Sequence, residues 1–457
     1  MDKKYLESSI RMLEFIEKSP TCFHVVENLA EHFESAGFSE LREEETWKIE
    51  AGGRYFVRRN GSSIIAFSVP SEDFENFQIM ATHGDSPAFK IKENPELSVA
   101  DHYVLLNVEK YGGMLCAPWF DRPLSVAGRI TVRTENGFDV RLVNVDRDLL
   151  LIPSLAIHLD RNANSGHEYN VQNEMLPVFG CQAANGEFWQ IIAEYAGVKK
   201  EDILASDLFL YNSMKGSIWG AFAEYVSSAR LDDLQCVFAT CEGFVRACMD
   251  SGNKNSKSVA MTCVFDNEEV GSSTKQGADS TFLADVMERI CMACKKNPAE
   301  EFKKAVASSF MISSDNAHAF HPNFSYKYDP VNRPHINRGI VIKFNGNQKY
   351  TSDAISAAVV KELCRRCNVP FQVYTNRSDI PGGSTLGNIS SSHVSLDSVD
   401  IGLAQLAMHS PYETAGIKDT QFLIEFSREF FETHIAKSAG TKTEGGTKNG
   451  TFCRYIF

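Results

Sequence analysis

The chain has no apolar run approaching the about 18 residues that a membrane-crossing helix needs. Its first residues, MDKKYLESSIRMLEFIEKSP, scatter charges where a secretory signal would carry an apolar core. Both absences lead us to expect a cytoplasmic protein. Basic residues are not in excess: 46 Lys and Arg stand against 59 Asp and Glu, for a formal charge of −13. That balance offers no electrostatic footprint for phosphate backbones or anionic lipid, so neither nucleic acid nor a membrane is an expected partner. Proline (15) and glycine (30) are too few among 457 residues for general disorder. With no secretory context, the 12 cysteines read as reduced thiols rather than a disulfide framework. Cys291/Cys294 and Cys364/Cys367 have the C-x-x-C spacing of a zinc ribbon. Both pairs lie in helix-patterned segments without knuckle glycines, which favours buried small hydrophobes.

What is present is enough chain for two or three domains. Leu6, Ile10, Leu13 and Ile16 mark a helix that stops at Ser19-Pro20, and a second helix follows from Thr21 to about Ala36. A hairpin turns at Asn60-Gly61, and Phe77 to Ala81 reads as a buried strand. From 93 to 231 the pattern becomes β-rich, with another hairpin at Asn136-Gly137. From 232 to 440 strands alternate with helices: a helix at Leu234 to Met249, strands at Val259 to Phe265, Phe310 to Ser313, Ile340 to Phe344, Phe371 to Tyr374 and Ile401 to Ala407, and a helical run at Asp353 to Cys367. This predicts an α/β fold with a mixed sheet, whose catalytic domain (1–92 and 232–440) is interrupted by an inserted β-rich domain (93–231). Residues 441–457, rich in Gly, Thr and Lys, are expected to form a flexible or subunit-contacting tail.

Open α/β sheets bind ligands at the carboxyl ends of their strands. Here those ends collect His83 and Asp85 in ATHGDSP, Glu268 and Glu269 in VFDNEEVGS, Asp315 and His318 in MISSDNAHAFHPN, and His409 in QLAMHS; Asp232 joins them in ARLDD. Only His, Asp and Glu appear, the donors of a divalent metal centre that would suit Zn²⁺ and also Mn²⁺ or Co²⁺. Two doubly charged cations would be neutralised by Asp232, Glu269 and Asp315 with one hydroxide, His83 and His409 completing the shell, which leaves Glu268 free as a base. Asp85 is placed to accept the second imidazole N–H of His83, although an H-x-D at a strand end can be a simple Asx turn. Glu268-Glu269 could equally be a solvated face, but it directly follows an apolar strand. His318 and His321, at i and i+3, could bind a metal from one helix face, donate to an oxyanion or merely hold their loop, and we rank them as lining the site.

The segments SPTCFHVV, THGDSPAFKIK, YGGMLCAPWFDRPLSVAGRI, PSLAIHLDRN, ARLDDL, DNEEVGS, SSDNAHAFHPN, NRPHINRGIVIKFN, DIPGGSTLGNI and QLAMHS, in this order, give the chain a resemblance to the aspartyl aminopeptidases over nearly its whole length. The resemblance implies a zinc-exopeptidase-like catalytic domain that releases the N-terminal residue of peptides, with Asp or Glu preferred. It implies two Zn²⁺ per subunit, one on His83, Asp232 and Asp315 and the other on Asp232, Glu269 and His409, with Glu268 as general base. It also implies a tetrahedral dodecamer, in which the loop around His158 reaches a neighbouring active site; by itself His158 reads as a lone core histidine. Lys343, an isolated cation in the strand GIVIKFN, either snorkels to solvent or pairs with an acidic substrate side chain, and Tyr350 is a further candidate for substrate binding. The competing expectations are a neutral-residue aminopeptidase on the same scaffold and a catalytically silent shell.

Overall fold

A computed structural model describes residues 2–250, 257–438 and 454–456. Its largest element is a nine-stranded mixed sheet that runs, edge to edge, through Ser39–Glu40, Arg54–Arg59, Ser63–Ser68, Ser258–Phe265, Asn76–His83, Phe310–Ser314, Asp397–Gly402, Ile340–Phe344 and Phe371–Thr375. The strands from Ser258 through Gly402 are mutually parallel and buried on both faces, as in a parallel sheet covered on both sides. Along the central strand Phe77, Ile79 and Ala81 enter one core with Phe265 and Phe282, while Met80 enters the opposite core with Phe244 and Phe426. The expected Asn60-Gly61 turn has φ of 59° and 66°, the two positive values of a primed turn; Ser62 donates its N–H to the Arg59 carbonyl and completes a three-residue connection between the paired Arg59 and Ser63.

Residues 88–212 build a separate antiparallel sheet of six strands, packed on its own core of Phe89, Trp119, Val126, Phe188 and Leu208. A third sheet joins Ser217–Trp219, Tyr225–Ser228, Glu413–Gly416, Ala404–Leu406 and Ala317–His318. Both C-x-x-C pairs lie in or at the end of helices as free thiols, and no candidate metal group among the described residues contains a cysteine.

One sequence expectation changes. The single strand expected over Ile401 to Ala407 is two strands in different sheets, Asp397–Gly402 and Ala404–Leu406. The partner segment bends with it: Asp315, Ala317 and Ala319 donate their N–H groups to the carbonyls of Ile401, Leu403 and Gln405. The bend depends on Gly402, where a β-carbon would stand 1.9 Å from the Asp315 carbonyl oxygen. Of the expected C-terminal tail, 441–453 and 457 lie outside the described residues, but Arg454–Ile456 pairs antiparallel with Ala436–Ser438 and Tyr455 bonds Asp397.

Gly402→Ala must therefore push Asp315 away from the strand ends. We expect destabilisation of about 1–3 kcal/mol, read as a lower thermal midpoint together with reduced metal content. Gly383→Ala, where nothing lies within 4 Å of the added carbon, should leave both unchanged.

Candidate metal centre

His83 is the last residue of the central strand Asn76–His83, and Asp315 follows the next parallel strand. The chain enters Asp232 from the third sheet through Arg230, which sits in the left-handed region at φ 57°. Asn267, also left-handed at φ 62°, turns the chain from Ser258–Phe265 into the short helix Glu268–Val270. His409 arrives from the loop between the two C-terminal strands of the third sheet. Strand ends from two sheets thus converge on one buried point.

Three groups of donor atoms lie within 4.8 Å of one another: His83, Asp232 and Asp315; Asp232, Glu269 and His409; and His83, Glu268 and Glu269. Asp232 divides its carboxylate between the first two. Its Oδ1 is 3.5 Å from His83 Nε2, and its Oδ2 is 3.4 Å from His409 Nε2. His83 Nε2 lies 3.7 Å from Asp315 and His409 Nε2 lies 3.4 Å from Glu269. A tetrahedral shell with bonds of about 2.0–2.2 Å separates its ligand atoms by about 3.3–3.6 Å, so these spacings suit divalent cations. Two further observations agree. Asp232 Oδ1 and Glu269 Oε1 are buried without a hydrogen-bond donor. Both histidines direct Nδ1 at a main-chain carbonyl, His83 at Asp85 (3.1 Å) and His409 at Gly113 (2.7 Å), which leaves Nε2 to face the carboxylates.

The surrounding polar groups hold this arrangement in place. The Asp85 carboxylate is 3.4 Å from His83 Nδ1, but it is engaged chiefly elsewhere: it accepts the N–H groups of Glu268 and Glu269, each at 3.1 Å, and the Tyr111 hydroxyl at 2.7 Å. Glu413 accepts the main-chain N–H groups of Asp232 and His409, and Asp233 accepts that of His83. Lys343 does not snorkel: it is 2% exposed, its Nζ is 3.2 Å from Asp315, and it lies over the Tyr350 ring. Burial would lower its pKa, but Asp315, Tyr350 and Asp400 outweigh this and keep it charged. His318 is exposed near the Tyr374 ring, and His321 bonds its own loop at Asn323. His158 lies in an exposed turn with Ile157 and Leu159 and belongs to none of the donor groups among the described residues.

Tyr111, Asp233 and Glu413 were not among the sequence candidates. The double glycine after Tyr111 was the available signal for the first, since it marks a close approach: a β-carbon on Gly112 would meet Glu269 at 3.1 Å. Nothing in the pattern around Glu413 distinguishes it from a surface residue.

Burial and the mutual repulsion of these carboxylates push Glu268 up to about 8, with Asp315, Asp85 and Asp232 adding to burial against the pull of His83. Burial, and then Asp232, also push Glu413 up to about 8. Bound cations reverse this, because they favour the ionised forms.

The chain matches the family model described as aminopeptidase I zinc metalloprotease (M18) over residues 15–431. It is 45% identical over 439 residues to a probable M18 family aminopeptidase 2 of Clostridium acetobutylicum, covering 94% of this chain and 99% of the relative. It is 38% identical over 449 residues to aspartyl aminopeptidase 1 of Schizosaccharomyces pombe, covering 93% and 94%. Among solved structures, the fold is similar to that in a complex of Ape4 and Nbr1 (TM-score 0.90, 36% identity, 94% of this chain and 87% of that one). It is also similar to an S. cerevisiae mApe1 dodecamer (TM-score 0.83, 27% identity, 94% and 97%).

Stripped of metal, the folded protein holds protons on Glu268 and Glu413 that the unfolded chain releases near its ordinary carboxyl pKa. Their contribution to stability is then present at low pH and lost as pH rises towards about 8. Cations must displace those protons, so metal binding strengthens over the same range. The rise in melting temperature on adding Zn²⁺ to chelator-stripped protein should be larger at pH 8 than at pH 6, and an equal rise at both would contradict this electrostatic account.

Proposed function

Since the chain belongs to the M18 family of zinc aminopeptidases, we propose that it works with two cations, one held by His83, Asp232 and Asp315 and the other by Asp232, Glu269 and His409. The observation that carries this reading is the division of the Asp232 carboxylate, one oxygen towards each histidine. When bound, the cations supply the acidity that ionises an attacking water near neutral pH and polarises the scissile carbonyl. Glu268, on the turn that Asp85 caps, takes the water proton and returns it to the leaving amine. His318, exposed to solvent near Tyr374, serves as a second donor to the developing oxyanion.

Release of N-terminal Asp or Glu is the preference we favour, supported by the S. pombe aspartyl aminopeptidase relative and by Lys343, a buried cation beside the site with Tyr350 under it. Neutral residues are the second reading, because Lys343 already pairs with Asp315. We read 93–231 as a domain inserted into the catalytic domain, supported by the separate sheet and core of 88–212. Assembly into a dodecamer is supported by the mApe1 dodecamer and by apolar side chains left open on the single chain, including Leu155, Leu159 and Phe222. In such an assembly the exposed turn bearing His158 is a means of reaching a neighbouring site.

Glu268→Gln should lower kcat by about 10²- to 10⁴-fold with metal content unchanged. Full activity in that variant would remove Glu268 from the mechanism. On peptides that differ only in their first residue, release of Asp and Glu should exceed that of Leu. Lys343→Leu should narrow the difference at equal metal content, whereas an equal loss on all three peptides would favour the second reading.

A further inference from the structure

Glu413 begins a strand that runs antiparallel between Tyr225–Ser228, which leads into Asp232, and Ala404–Leu406, which leads into His409. Its carboxylate is 2% exposed and spends both oxygens on the main chain. Oε2 accepts the Asp232 N–H at 2.9 Å and Oε1 accepts the His409 N–H at 2.7 Å, with the Gln405 amide 3.4 Å away. Both recipients need support. His409 has φ 65°, a left-handed conformation that a residue with a β-carbon keeps only where its surroundings impose it. Asp232, at φ −83° and ψ 108°, departs from helical geometry within the first turn of its helix.

We propose that Glu413 is a positioning residue for the Asp232–Glu269–His409 site: one carboxylate clamps the main chain of two of its three ligands and so sets the 3.4 Å spacing between Asp232 Oδ2 and His409 Nε2. The inference rests on the two-cation reading above. The other group is anchored differently. His83 is the end of a sheet strand with Nδ1 on the Asp85 carbonyl, and Asp315 is held by Lys343 and by the Ile401 carbonyl; only Asp232 is shared. Loss of the clamp therefore weakens the two sites unequally. Glutamine at 413 keeps one acceptor oxygen but turns an NH₂ group towards the other main-chain N–H, so it can satisfy only one ligand.

The test is a Zn²⁺ titration of stripped protein against a chromophoric chelator, which reads site number and affinity without turnover. His83→Ala leaves the Asp232–Glu269–His409 site for measurement, and His409→Ala leaves the other. Adding Glu413→Gln to His83→Ala should weaken binding by about 10- to 100-fold, while adding it to His409→Ala should change it by less than about threefold. Equal weakening in both backgrounds, or none in either, overturns the clamp. If Glu413→Gln does not fold, Glu413→Asp, whose shorter arm cannot span both amides, replaces it with the same criteria. Wild-type protein that binds a single equivalent overturns the two-cation reading and this inference together, whereas two equivalents with unequal sensitivity absent overturns the clamp alone.

Discussion

Asp85, Asp232, Asp233, Glu269 and Glu413 are buried within one hydrogen-bonded neighbourhood. Like charges at that density cannot all ionise in a low-dielectric interior unless cations share the space. Main-chain N–H groups relieve part of the repulsion: those of Asp232 and His409 point at Glu413, and those of Glu268 and Glu269 point at Asp85. The rest falls to His83, His409 and Lys343, and to metal.

The fold answers that demand by bringing chain ends to one point from several directions. Parallel strands of the large sheet supply His83 and Asp315, and the third sheet delivers Asp232 and His409 from strands on either side of Glu413–Gly416. Gly402 lets the paired segments cross from one sheet to the other without displacing Asp315. His83 ends a strand and Asp315 directly follows one, whereas Asp232, Glu269 and His409 stand on short connections that hydrogen bonds to Glu413 and Asp85 hold in place, as ligand spacings near 3.5 Å require.

The large sheet was legible because its central strands are short and mostly apolar, and a charged or imidazole side chain at or just beyond the end of such a strand has few reasons to be there. His83, Asp315 and the Glu268-Glu269 pair stood out on that ground. Asp232 was harder to read, since ARLDD looks like an ordinary acidic helix start. Glu413 could not be read at all, and Tyr111 only through the two glycines after it: each acts on a partner more than 20 residues away, Asp232 for Glu413 and Asp85 for Tyr111, in a pairing that periodicity does not encode. The division of 401–407 between two sheets escaped for a related reason. A run of small and apolar residues fits one long strand as well as two short ones, and only the contact between Gly402 and Asp315 decides between them.

Tyr111 ends the strand Tyr103–Tyr111 of the six-stranded sheet and Gly112 and Gly113 follow it, and together they touch the metal centre at three places: the Tyr111 hydroxyl on Asp85, Gly112 against Glu269, and the Gly113 carbonyl on His409. The smaller sheet is therefore no appendage that could be trimmed from a self-sufficient catalytic unit. A chain pruned of residues 88–212 would retain every proposed ligand, but the imidazole of His409 would lose the carbonyl that selects its tautomer, and the Glu268-Glu269 turn would lose its outer brace. For anyone dissecting or grafting this scaffold, the smallest transplantable piece includes all three of these sheets.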